Sequence, residues 1–149
     1  MRYERYPTVY ETDDLSLQEF ECTGPSGEPI RKRIIFAKTE VTGIYNLAFG
    51  NVRENGRLDD EAISGDRDKV LATVALAVDR YTTRYPRRWL YFRGSTPART
   101  RLYRMAIGMN LDELTEKFEI FAEILDYEEY VPFQKNMVIE GFLIRRRIA

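Results

Sequence analysis

Between Arg80 and Leu111 every charged side chain is an arginine: Arg80, Arg84, Arg87, Arg88, Arg93, Arg99, Arg101 and Arg104. A guanidinium carries a rigid planar fork of N–H donors that grips phosphate or carboxylate in pairs. The densest stretch runs from Arg93 through Gly94-Ser95-Thr96-Pro97-Ala98-Arg99-Thr100-Arg101-Leu102-Tyr103 to Arg104. It reads as a strand end passing straight into a helix start. Such a start offers unpaired N–H groups and the positive end of the helix dipole, and Ser95 and Thr96 add hydroxyl donors. The candidate anion- or nucleic-acid-binding residues are therefore Arg93, Gly94, Ser95, Thr96, Arg99, Arg101 and Arg104, joined by Arg84 and Arg88 from the preceding segment. An ordinary structural reading stands beside this one. Thr96 before Pro97 is a conventional helix cap, and helical arginines commonly pair with acids across a fold. Within the block no acid can make a local i,i+4 pair. The answering charges must come from elsewhere in the chain or from a ligand.

The rest of the chain supplies enough acid to leave that question open. Residues 1–79 hold 10 basic and 15 acidic side chains, and residues 112–149 hold 5 and 9. The net charge of −1 thus conceals an arginine block between two acidic flanks. There is no histidine, which removes Ser-His-Asp and Cys-His nucleophile activation and the usual general base at neutral pH. Cys22 is the single cysteine, so neither an internal disulfide nor a cysteine zinc cluster can form. It reads as a buried small hydrophobe. Asp59-Asp60-Glu61 cannot converge on one metal ion from a strand, because adjacent side chains point to opposite faces. No cofactor is implied. No apolar run approaches the length of a membrane span, and Met1–Pro7 lacks the apolar core of a secretory signal. The expected compartment is the cytoplasm.

The elements that must position the arginines follow from periodicity. Leu15–Thr23 and Ile30–Lys38 alternate as strands around the turn Gly24-Pro25-Ser26-Gly27 and form a hairpin. Ile44–Val52 is a third strand, and Asn55-Gly56 turns into a short fourth near Arg57–Ile63. Ser64-Gly65-Asp66 caps a long helix in which Val70, Leu71, Val74, Val78, Tyr81 and Tyr85 recur at helical spacing, ended by Pro86. Trp89–Phe92 is a short aromatic strand. A second helix starts at Pro97, and Leu111–Lys117 adds a further helical turn. Phe118–Ile124 alternates as a strand, Tyr127–Gln134 reads as loop, and Met137–Ile144 is the last strand. Arg145-Arg146-Arg147 stands at its end, either as solvated charge or as a contact for an acidic partner or nucleic acid. The fold class is α+β: an antiparallel meander of about four strands, a long helix, a short strand, a second helix and two C-terminal strands, in one domain over 1–149 with 1–14 as a loosely ordered arm.

Three segments carry a family resemblance. Asn46-Leu47-Ala48-Phe49-Gly50, then Asp68-Lys69-Val70-Leu71-Ala72-Thr73-Val74-Ala75, then Gly94 to Arg104 resemble, in order, an uncharacterised bacterial domain family. The resemblance spans Leu15 to the end, implies one small domain, and singles out Gly94–Arg104; it supplies no activity. The order of meander strands followed by a helix is also similar to the Pur-alpha and Whirly type of single-stranded nucleic-acid-binding fold, which implies base stacking on aromatics with arginines on phosphates. The functional expectation is a non-catalytic binding module for an anionic ligand, with single-stranded nucleic acid ahead of a small phosphate-bearing molecule. The alternative is a protein-interaction or oligomerisation domain, such as a homodimer, whose arginines meet acidic groups. An enzyme acting on phosphorylated substrates ranks last.

Overall fold

The structure, a computed structural model, describes residues 4–24, 26–52, 58–59 and 67–148. It is α+β, a mostly antiparallel sheet with three helices. The chain divides into two compact units, one of residues 1–37 and 47–81, the other of residues 38–46 and 82–149.

In the first unit the strands are β1 (Thr8–Glu11), β2 (Leu17–Thr23), β3 (Pro29–Lys38), β4 (Ile44–Val52) and β5 (Leu58–Asp59), hydrogen-bonded in the order β1-β2-β3-β4 with β5 on β4. Strands β2 and β3 form the expected hairpin, Leu17 opposite Ile35 and Thr23 opposite Pro29. Alternation decides which row is buried: Lys32, Ile34 and Phe36 lie inward on β3, as do Phe20 and Cys22 on β2. The helix α1 (Arg67–Arg84) covers that row through Val70, Ala77, Val78 and Tyr81. The Tyr81 ring stacks on Phe36 at 3.9 Å between centroids. Lys32, only 1% exposed, occupies the inward row as a buried cation whose amine donates to Asn51 Oδ1. The outward row neutralises itself, with Arg31 bridging Glu19 and Glu21 at 2.9 and 3.0 Å and Arg33 meeting Glu19 at 2.5 Å. Cys22 is buried, and burial pushes its thiol up.

Residues 8–11 form β1 where the sequence suggested an arm; Tyr10 and Glu11 pair with Glu19 and Gln18. The Asn55-Gly56 turn and the Ser64-Gly65-Asp66 cap lie outside the described residues.

In the second unit the start of β4 pairs with β6 (Trp89–Phe92), and the order continues through β9 (Gly141–Arg146) and β7 (Phe118–Glu123) to β8 (Val131–Pro132). The β4–β6 pair is parallel, with Ile44 beside Trp89. The remaining pairs are antiparallel. One row is apolar: the buried Leu90, Ile144 and Ile120 stand in register, followed by the half-buried Phe92 and the buried Phe142 and Ala122. The helix α2 (Pro97–Met109) lies on this row, where Tyr103 meets Phe92 edge-on at 6.3 Å, and α3 (Leu111–Lys117) leads into β7. Val131–Pro132, read from sequence as loop, pairs with Phe121–Ala122; two residues are too few to show alternation. No described helix is long and apolar enough to cross a membrane.

Candidate functional site

The helix start at Gly94–Thr100 is built from within. Thr96 caps α2 with extended backbone, its Oγ1 accepting from Arg99 N at 3.3 Å, and Pro97 follows as the first helical residue. The Thr96 carbonyl accepts from Arg99 N and Thr100 N. Gly94 donates its N–H to Thr100 Oγ1 at 3.0 Å. A Cβ at Gly94 would lie 2.5 Å from both Thr100 N and Arg99 Cβ, so only glycine lets the strand end approach the first turn. Of the donors that made this segment attractive to an anion, these are spent on the fold itself. Arg99 donates to Thr96 Oγ1, and Arg104 donates to the Met137 carbonyl at 3.0 Å. Arg93 and Arg101 are exposed, with no ion pair or hydrogen bond among the described residues.

The block of eight is dispersed by the topology. Arg80 lies in the first unit and pairs with Glu11 at 2.7 Å; the hydrogen bond holds the Glu11 carboxyl below its usual range and raises Arg80. The others divide around β6. Arg84, Arg87 and Arg88 precede it, while Arg93, Arg99, Arg101 and Arg104 follow it. Four strand residues lie between Arg88 and Arg93, which sets the two groups about 17 Å apart along the strand.

At the leading end of β6 the fold brings in a second run of arginines. Antiparallel pairing sets the last residues of β9 beside the first of β6 and β7, so Arg145, Arg146 and Arg147 join Arg84, Arg87 and Arg88. Aromatic rings are interleaved, among them Phe118, 5.6 Å from the Arg146 guanidinium. The Arg88 guanidinium lies 3.8 Å from the Tyr85 ring centroid and 4.3 Å from that of Tyr45. Arg145 lies 4.2 Å from the ring of Trp89, the single tryptophan. Arg84 lies 5.6 Å from Tyr85. A planar cation on a ring face gains cation–π attraction and is held flat. Some of these charges are answered: Arg145 pairs with Glu119 at 3.0 Å, Arg146 donates to Thr82 Oγ1, and Arg147 donates to the Thr115 carbonyl. Arg87 is exposed and makes no ion pair or hydrogen bond among the described residues.

The trailing end of β6 has the opposite character. Tyr91 donates its hydroxyl to Glu123 Oε1 at 2.6 Å. Both groups stand over Gly141, where a Cβ would come within 2.5 Å of the Tyr91 oxygen and 2.8 Å of Glu123 Oε1. Burial, then the bond to Glu123, raises the Tyr91 phenol well above the ordinary range, and Tyr130 is raised by burial and Glu123. Asp126, Glu128 and Glu129 extend from β7 in an exposed turn, and Glu140 precedes β9. Against these acids stands Arg93.

Sequence reasoning named Arg84 and Arg88 as candidates without the rings beside them, Tyr45 and Tyr85, and it left Arg145–Arg147, one of which lies on Trp89, undecided. Only the pairing of distant strands assembles them. No group of three or more described acids or cysteine could hold a metal ion.

Fold and site define an α+β protein with one arginine- and aromatic-rich sheet end and one tyrosine- and glutamate-rich end. The chain belongs to a family of unknown function, DUF6934, whose model matches residues 2–147. No curated protein and no solved structure matches it.

Proposed function

We propose that this protein is a non-catalytic binding module for an anionic ligand, with single-stranded nucleic acid the best fit, and that the leading end of β6 is its binding surface. The observation that carries the reading is that arginine planes lie on aromatic rings at this end of the strand, Arg84 and Arg88 on Tyr85, Arg88 also on Tyr45, and Arg145 on Trp89. Single strands are held by arginines on phosphates and by bases stacked on aromatic or guanidinium planes. A small phosphate would use the arginines alone, whereas a single strand can also stack a base on an exposed guanidinium plane. In the alternative, an interaction domain, the arginines answer acids; Arg80 with Glu11 and Arg145 with Glu119 favour it locally.

The test is fluorescence anisotropy of a labelled single-stranded oligonucleotide. Affinity should fall linearly on a double-logarithmic salt plot, with a slope of about −0.7 for each phosphate contacted. Arg88→Ala should weaken binding about tenfold, a loss within the usual range for one stacked group, and leave the melt unchanged. No binding at low salt would overturn the reading.

A further inference from the structure

We infer that α2 and the turn after β7 are the two halves of a contact between two copies of this chain. The outer side of α2 carries Arg101, Met105 and Met109, spaced four apart and so stacked in one stripe. Met105 is 49% and Met109 75% exposed. Neither is needed by the sheet, because α2 packs through Tyr103 and Thr100 and ties Arg104 to Met137. A helix directs two large thioethers into solvent at repeated positions only at a cost in solubility, and such patches mark interaction surfaces.

The turn Leu125–Tyr130 is the complementary surface. Leu125 is 65% and Tyr127 66% exposed. The acids between and beyond them, Asp126, Glu128 and Glu129, make no side-chain ion pair or hydrogen bond among the described residues. One surface is apolar with an unanswered arginine; the other is apolar with unanswered carboxylates. Methionine sulfur against tyrosine rings is a favourable pairing, and tyrosine, methionine and arginine are enriched in protein interfaces. Opposite charges set register and orientation more than affinity. Each copy supplies one helix and one turn, so a two-fold pair forms the contact twice and closes without open ends.

Sedimentation of the full chain across the micromolar range tests this. The wild type should sediment as a dimer, and the double variant Met105→Glu/Met109→Glu as a monomer with an unchanged melt. Arg101→Glu should weaken the dimer at least tenfold, and adding Glu128→Arg/Glu129→Arg should restore it. Should the helix variant melt early, Tyr127→Lys at the turn gives the same reading. A wild type that stays monomeric at the highest concentration, or a dimer that survives both the methionine and the Tyr127 substitutions, overturns the inference. Anisotropy with the labelled oligonucleotide is read separately on the same samples, so a monomeric wild type that binds overturns only this inference, and a dimer that does not bind overturns only the proposed function.

Discussion

The two ends of the short strand β6 face opposite electrostatic tasks with similar materials. Both use aromatic rings beside charged groups. At the leading end the rings of Tyr45, Tyr85 and Trp89 carry guanidinium planes. At the trailing end Tyr91 is locked by a hydrogen bond to Glu123 above a glycine with no room for a side chain. The trailing end is therefore a close-fitted joint, where a lost atom or an added one is felt by the fold. The leading end is held by guanidinium planes on half-exposed rings, where truncating a side chain opens no cavity in the apolar core. The difference teaches that a run of like charges in sequence does not mark one surface. Eight consecutive charged residues of one sign separate into structural and presented groups once a strand passes between them.

The contrast can be broken most severely from the trailing end. Gly94→Ala places a Cβ against the backbone of Thr100 and should cost about 3 kcal/mol, at the upper end of overpacking penalties, read as a lower midpoint in chemical denaturation. Tyr91→Phe leaves the Glu123 carboxylate without its donor and should cost about 1–2 kcal/mol. Its pH signature follows from the raised phenol. The folded value exceeds the unfolded value of about 10, so the contribution is complete below that pH and is lost as pH rises through the folded value. The wild type should lose stability in that alkaline window more steeply than Tyr91→Phe does, and absorbance titration should show one phenol ionising late. At the leading end Arg88→Ala should lower oligonucleotide affinity about tenfold, equivalent to about 1.4 kcal/mol, with the melting temperature nearly constant. The smallest effect is expected of Thr96→Ala, about 1 kcal/mol for a lost helix cap, with binding unchanged; a large binding loss there would return Gly94–Arg104 to the ligand surface.

Much of the fold was legible because its signals are local. The Gly24–Gly27 turn between alternating runs marks β2 and β3, and Thr96-Pro97 marks the start of α2. The α1 stripe marks the buried face. Short elements without periodicity, β1 and β8, were not legible, since four and two residues leave the pattern undefined. The site was readable only in part. Arg84 and Arg88 announce themselves by charge, but nothing local says that β4 and β6 run parallel or that β9 returns Arg145 to Trp89. Gly141 gives no hint that its missing side chain makes room for Tyr91 and Glu123. The alternation of β7 favoured the buried residues over the outward-facing Glu119 and Glu123, yet those two acids fix Arg145 and Tyr91.

The central claim is that the leading end of β6 meets the ligand, and the lone indole of Trp89 reports on it directly. Titration with single-stranded oligonucleotide at low salt, followed by tryptophan emission, is expected to give saturable quenching that reverses on adding salt and is weakened by Arg88→Ala. Emission that stays constant while anisotropy shows the oligonucleotide bound would place the ligand elsewhere and contradict the account.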